Sequence, residues 1–306
     1  MTDQLPDPHI AALILNWRDS EATIECIQSV SESVAVNVEI YLLDNQSTAS
    51  SRRKLLRGLE QVECPIHFFE SDQNLGFAGG INYLVEAVDS ANADYIFLLN
   101  NDATVYPRTL SRLVGEQRET GYHLIGPVNE GARSRSTRRW PYWLFGIRIP
   151  GLYKAEQNGW ETCNIDGAGV LLTQQVVKRI LEKRGKLLDD RYYLYTEDTE
   201  LGLYARSLGY RSFITNLAHY FHTRGQYGTL ERRSLTYYYT TRNRVFLAKD
   251  YLDSSVQLLF HLYYLLSRMV ILGREFLKRN TAIATAVWEG LKDGYAGRGG
   301  KWRHHE

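Results

Sequence analysis

The feature that most narrows the fold is an alternation of apolar strand-like runs with helix-like runs over the first 126 residues. The continuous apolar run "IAALILN" (10–16) reads as a buried strand. "SEATIECIQSV" (20–30) follows with Ile24, Ile27 and Val30 on one helical face and Ser20 placed to cap its start. Further strand-like runs are "VEIYLLD" (38–44), "IHFFE" (66–70), "DYIFLLN" (94–100) and "YHLIGP" (122–127). Between them lie a basic helix at 50–59, an apolar helix containing "INYLVEAV", and a helix at 106–117 with Pro107 in its first turn, where a missing N–H costs little. This order predicts the α/β class, with a Rossmann-like, doubly wound, mainly parallel sheet.

In such sheets ligands bind beyond the carboxyl ends of the strands. Small polar and acidic residues gather there: Asn16 after the first strand, "DNQS" (Asp44 to Ser47) after the second, "SDQN" and then "NLGFAGGIN" (74–82) after the third, and "NND" (Asn100, Asn101, Asp102) after the fourth. One such exit is ordinary turn chemistry; four on one edge point to a binding site. The three glycines of "NLGFAGGIN" weaken a helix just where one should begin. They mark either a tight turn or a backbone that lies close against a ligand's phosphates or sugar.

Composition removes several function classes. Apolar residues at 44% and charged residues at 23% suit an ordinary globular core. Lys plus Arg total 36 against 35 Asp plus Glu, without the basic excess of a dedicated nucleic-acid binder. Cys26, Cys64 and Cys163 show no paired spacing, so neither a zinc site nor a disulfide framework is expected, and a reducing cytoplasm fits. The start "MTDQLPDPH" lacks secretory character. After the first strand comes "NWRDSEAT", without the glycines that a dinucleotide-dependent oxidoreductase needs there.

The second half carries further chemistry. "GARSRSTRRW" places Arg133, Arg135, Arg138 and Arg139 in either a solvated loop or one that meets phosphates. "IDGAGVLLT" (165–173) precedes a helix at about 174–184, and "DDRYYLYTEDTELGLYARSLGY" (189–210) sets acids before a helix. Glu197, Asp198 and Glu200 can complement the helix dipole; neighbouring carboxylates also raise each other's pKa, which suits a general base. Asp102 can cap the next helix or supply a carboxylate to a hard cation. His222, in "YFHTRG", is a structural histidine or a metal ligand, with Arg224 able to face phosphate. The tail from about 232 is helical. Its apolar stretch "SSVQLLFHLYYLLSRMVILGREFL" is broken by His261 and Arg268, so a core helix, a lid or an interfacial helix fits better than a simple span. Arg268, Arg274, Lys278 and Arg279 suit anionic lipid heads. The expected division is a polar tail (1–8), an α/β unit (9–230) and a helical C-terminal extension (231–306).

Taken in order, "LLDNQSTASS", "NLGFAGGIN", "YIFLLNNDATVYP", "DGAGVLLT", "DDRYYLYTED", "HTRG" and "YYYTTRNRVFL" resemble the inverting family 2 glycosyltransferases of the GT-A fold, rhamnosyltransferase-like branch. The stretches span most of residues 10 to 250. The resemblance implies transfer of a sugar from a dTDP- or UDP-linked donor to a glycan or lipid-linked acceptor, with Mg²⁺ or Mn²⁺, in the cytoplasm or peripherally on the inner face of the cell membrane. Asp44 would recognise the nucleobase with Asn16, Asn45 and Ser47 nearby. Asn74, Gly76, Phe77, Gly79, Gly80 and Asn82 would frame the donor, beside Asn100 and Asn101. Asp102 and His222 would be the metal ligands, Asp166 and Gly167 would border the acceptor, and Asp198, with Glu197 beside it, would be the catalytic base. The metal element reads "NND" where the branch more often has Asn-Pro-Asp. The tail "WEGLKDGYAGRGG" resembles the ending of members that use a deoxysugar such as rhamnose. A non-catalytic nucleotide-sugar-binding protein of the same fold is the alternative.

Overall fold

A computed structural model describes residues 6–88, 93–131, 143–144, 147–148, 154–222 and 229–304. Arg133, Arg135, Arg138, Arg139 and Arg224 lie outside these described residues.

The first half follows the alternation. β1 (His9–Asn16) leads to α1 (Ser20–Ser31), β2 (Asn37–Asn45), α2 (Ala49–Leu59), β3 (Ile66–Ser71), α3 (Gly76–Val88), β4 (Tyr95–Asn100), β5 (Ala103–Val105), α4 (Thr109–Thr120) and β6 (Leu124–Asn129). Three starts differ from expectation. The cap of α1 is Asp19, whose carboxylate accepts the Ala22 N–H, while the Ser20 hydroxyl turns away to the Ser51 carbonyl at 2.7 Å. α4 begins at Thr109, because Ala103–Val105 is drawn into the sheet first, and Pro107 stands ahead of the helix. α3 begins at Gly76, so its glycines lie inside the helix rather than before it.

The rest of the chain contains β7 (Trp143–Leu144) paired with β8 (Ile147–Arg148), then β9 (Lys154–Glu156), β10 (Gly159–Glu161), β11 (Gly169–Thr173), α5 (Gln174–Arg184), α6 (Glu197–Ser207) and β12 (Ser212–His222). Three helices close it: α7 (Leu230–Tyr251), α8 (Ser254–Leu277) and α9 (Thr281–Tyr295).

The main sheet runs β3-β2-β1-β4-β11-β6-β12-β10-β9, with β5 also paired to β12. β3, β2, β1 and β4 are parallel; β11 is inserted antiparallel between β4 and β6, and β12 runs parallel to β6. The fold is thus mixed α/β, with a central, mostly parallel sheet and C-terminal helices. Strand alternation divides the core. Ile10, Ala12 and Ile14 face α1 and α4 on one side, and Ala11, Leu13 and Leu15 face α3, α5 and α6 on the other. Because β11 is reversed, its beginning lies at the same edge as the ends of β1, β2, β4 and β12.

α7 and α9 pack closely: a Cβ on Gly290 would fall 2.7 Å from the Tyr238 carbonyl. α8 behaves differently. Phe260, Tyr264 and Glu275 are its buried residues, whereas Leu266 is 69%, Val270 72% and Leu277 84% exposed. It is therefore not a core helix.

Candidate functional site

The strand ends are wired together by polar side chains. Asn16, fully buried, donates to Asp44 (2.9 Å) and Ser47 (3.0 Å), and its carbonyl oxygen accepts from Thr23 (2.7 Å). Asn101 donates to the Thr23 hydroxyl at 2.9 Å. The other oxygen of Asp44 accepts from Arg52 Nε at 2.7 Å, and Arg52 also reaches Glu70 at 2.9 Å. Asp44 has no exposed surface, so a nucleobase would reach it only after the partly exposed Arg52 moves. Thr23 and Arg52 were not among the sequence candidates. The signal for Arg52 was its place on the basic helix that follows "DNQS".

The glycine stretch is held by neighbouring asparagines. Asn45 accepts the Leu75 N–H (2.8 Å) and donates to Asn74 and to the Gly76 carbonyl (both 3.2 Å); Asn74 in turn accepts the Gly76 N–H at 2.9 Å. Gly76 has φ +71°, and a Cβ there would stand 2.6 Å from the Tyr193 carbonyl. That carbonyl accepts the N–H groups of Phe77 (2.8 Å) and Ala78 (3.3 Å). Gly80 lets α3 approach β1, since a Cβ would meet Leu15 at 2.8 Å. The protein itself thus accounts for Gly76 and Gly80; a Cβ on Gly79 would meet the Leu75 Cβ at 3.2 Å. Asn82 points elsewhere: its amide is spent on the backbone N–H and C=O of Leu188, both at 2.8 Å.

Beyond β4, Asp102 meets the end of β12. His222 Nε2 lies 3.0 Å from its Oδ1, and Arg232 lies 4.0 Å from Oδ2. Burial pushes the Asp102 carboxyl up, but the His222 hydrogen bond and charge, with Arg232, outweigh it and hold the group below its ordinary value. With the proton on the facing Nε2 displaced, the Asp102 carboxylate and the His222 imidazole are an oxygen–nitrogen pair that suits a divalent cation. Among the described residues no group of three or more His, Cys, Asp or Glu could hold a metal, so most of a cation's shell would come from water and a ligand's phosphate oxygens. The pair fits a cation that arrives with a diphosphate better than a resident one.

The acids of α6 meet the turn before β11. Asp198 Oδ2 accepts the Gly167 N–H at 3.1 Å, and Oδ1 accepts the Thr199 N–H at 2.6 Å. Asp166 accepts the Ala168 N–H at 3.2 Å, and the Ala168 carbonyl accepts the Asn100 N–H at 3.2 Å. Asp198 and the Asp166–Gly167 turn therefore sit directly beside the strand that ends in Asn100–Asp102. Glu197 is buried with Oε2 unpaired, and burial first, then the charges of Asp198 and Asp166, push its carboxyl well above its ordinary value. Glu200 belongs to another arrangement, bonded to Arg184 (2.7 Å) and Tyr251 (2.5 Å). The edge thus offers a partly exposed carboxylate with two N–H contacts, a carboxylate–imidazole pair and a buried polar network.

Known proteins share sequence and fold with this chain. The model of a family described as "Glycosyl transferase family 2" matches residues 14–181, just over half of the chain. Undecaprenyl-phosphate 4-deoxy-4-formamido-L-arabinose transferase from Pseudomonas fluorescens is 27% identical over 111 residues, which are 36% of this chain and 32% of that protein. The namesake from Pseudomonas paraeruginosa is 26% identical over the same shares. The matched stretch is thus about a third of those relatives' length. Among solved structures, the mannosyltransferase PcManGT from Pyrobaculum calidifontis, in complex with GDP-Man and Mn²⁺, superposes with a TM-score of 0.61 at 14% identity, covering 99% of this chain and 80% of its own. S. aureus TarS 1–349 with UDP-GlcNAc gives 0.56 at 13% identity, over 92% and 80%. These structural likenesses speak for the fold. The family match begins inside β1 and ends inside α5, taking in the strand ends that carry Asp44, Asp102 and Asp166, and on that match the chain belongs to glycosyl transferase family 2.

Proposed function

We propose that this chain is an inverting, metal-dependent glycosyltransferase that moves a sugar from a nucleoside diphosphate to an acceptor hydroxyl in surface glycan or polysaccharide synthesis. One observation carries the reading: the Asp198 carboxylate is oriented by the Gly167 and Thr199 N–H groups at the turn that abuts the end of β4, two residues from Asp102. Asp198 is the base. Glu197, its carboxyl pushed up by burial and by Asp198, favours the protonated form beside it. The acceptor hydroxyl, bordered by Asp166 and Gly167, gives its proton to Asp198 while its oxygen attacks the anomeric carbon. The bond from that carbon to the diphosphate breaks as the new one forms, which inverts the configuration. Asp102 and His222 would hold the divalent cation, whose charge stabilises the leaving diphosphate. The donor lies along Asn74, Gly76 and Phe77, with its base toward Asp44, Asn45 and Ser47.

The resemblance of the C-terminal stretch 288–300 favours a deoxysugar donor such as dTDP-rhamnose. Two features favour a lipid-linked acceptor. The Pseudomonas relatives are named for an undecaprenyl-phosphate substrate. The apolar face of α8, flanked by Arg268 and Arg274 and followed by Lys278 and Arg279, suits an anionic membrane surface on which residues 231–306 would rest.

The test is transfer from dTDP- and UDP-sugars with and without Mn²⁺, with the product anomer read by NMR. Inversion, loss of turnover on chelation, and a 10²–10⁴-fold fall in kcat for Asp198→Asn with nucleotide binding kept are expected. Full turnover by Asp198→Asn would remove the base assignment. Binding of nucleotide sugar without any transfer would favour a non-catalytic binding protein.

A further inference from the structure

The segment that delivers Glu197 and Asp198 has an unusual backbone. Tyr193, Tyr195 and Thr196 have φ of +61°, +63° and +68°, a region that residues with a Cβ rarely enter. No glycine lies between Asp189 and Asp198, so external contacts must hold these conformations.

The contacts come from two neighbouring side chains on α7, both without exposed surface. Arg242 donates through Nη2 to the carbonyls of Arg191 (3.0 Å) and Tyr192 (2.8 Å), and through Nη1 to the Gly300 carbonyl at 2.6 Å. Asn243 donates through Nδ2 to the carbonyls of Tyr192 (3.0 Å), Leu194 (2.9 Å) and Tyr195 (2.7 Å). Arg242 Nε in turn donates to Asn243 Oδ1 at 2.9 Å, fixing which way the amide faces. The carbonyl left over, that of Tyr193, accepts the first N–H groups of α3. Every carbonyl from 191 to 195 is therefore held, four by α7 side chains and one by the helix that opens with the donor-loop glycine. Tyr193 and Tyr239 stack at 5.5 Å, which closes the same joint with an aromatic pair.

We propose that Arg242 and Asn243 are positioning residues that lock the 191–196 segment, and through it set the α6 carboxylates against the donor end of α3. The proposal rests on Asp198 being the base. It gives the C-terminal helices a direct part in the chemistry: α7 forms the back wall of the reactive loop. An arginine is suited to the task because its planar fork serves three carbonyls at once, which a lysine ammonium cannot match. Asn243 is suited because a neutral amide donates without leaving a second buried charge beside Arg242.

The test compares Asn243→Ala, Asn243→Asp and Arg242→Lys with Val245→Ala, a buried change on the same helix that packs with Ala248, Phe260, Tyr264 and Leu291. Expected are at least a 10-fold fall in kcat for the three loop variants, an affinity for nucleoside diphosphate with Mn²⁺ within threefold of wild type, and an unchanged kcat for Val245→Ala at a similar loss of melting temperature. Thr196→Gly added to Asn243→Ala should recover part of kcat, because glycine enters positive φ without restraint. If Asn243→Ala does not fold, Asn243→Asp, of the same shape, carries the comparison. A normal kcat in folded Asn243 variants would overturn the positioning role. The base assignment is read separately: if Asp198→Asn is inactive while Asn243→Asp turns over normally, only the present inference fails. If Asp198→Asn is fully active, both fail.

Discussion

Glu197 and Asp198 are adjacent in sequence, yet their surroundings differ. Asp198 is partly exposed and receives two backbone N–H groups; Glu197 is buried with an unpaired oxygen. A carboxyl raised in the folded state favours folding most below its ordinary value near pH 4.3, and that stability is lost as pH rises through the elevated pKa. Glu197→Gln should therefore melt like wild type near pH 4 and above it from neutral to alkaline pH, by about 1.4 kcal/mol for each pK unit of the rise. Melting curves from pH 4 to 9 check this; a gap that widened toward acid would contradict it. Asp102, held low by His222 and Arg232, acts in the opposite sense, its contribution fading as pH falls.

At the scale of elements, α3 carries a sequence signal whose cause in the structure is packing. The glycines of "NLGFAGGIN" mark a functional-looking loop, but Gly76 is demanded by φ +71° and the Tyr193 carbonyl, and Gly80 by Leu15. Gly76→Ala should cost about 2–4 kcal/mol, from the left-handed backbone and the clash together. Denaturant titration would show it, and a loss under 1 kcal/mol would mean that the loop yields easily. The strands were legible because runs such as "IAALILN" are buried on both faces and announce themselves in one dimension. So were the acidic strand exits, since turn chemistry is local. The place of β11 was not legible: its five residues enter antiparallel between β4 and β6, a pairing decided by contacts distant in sequence. Nor were Arg242 and Asn243, whose partners lie about fifty residues earlier. The "RN" pair in a Tyr- and Thr-rich helix was the available hint, a cation and an amide where the pattern called for burial.

At the scale of the molecule, α8 leaves an apolar arc of roughly 160° facing outward at 100° per residue, wider than the seam a two-stranded coil needs. Arg274 and Arg268 stand near its two margins. Vesicles with anionic lipid should retain the protein and release it in high salt, whereas neutral vesicles should hold it less. Leu266→Glu with Val270→Glu should abolish retention at an unchanged melting temperature, because both side chains already face outward. Equal retention of the double variant, or a shift from monomer to dimer with α8 at the contact, would defeat the membrane reading.

Residues 300 and 302 reach back to the segment ahead of α6 and to the side chains of α7 that hold it. Gly300 exchanges backbone and side-chain bonds with Arg191 and Arg242, and the Trp302 N–H donates to Tyr239. During synthesis the strands can pair while later residues are still being added, since chains fold from the amino end forward. The 191–196 segment ahead of α6 gains its braces from Gly300 and Trp302 only when those residues leave the ribosome. A nascent polypeptide thus owns a complete sheet before the segment leading into α6 is fully braced, so the strand edge is in place before the acids of that helix are fixed against it.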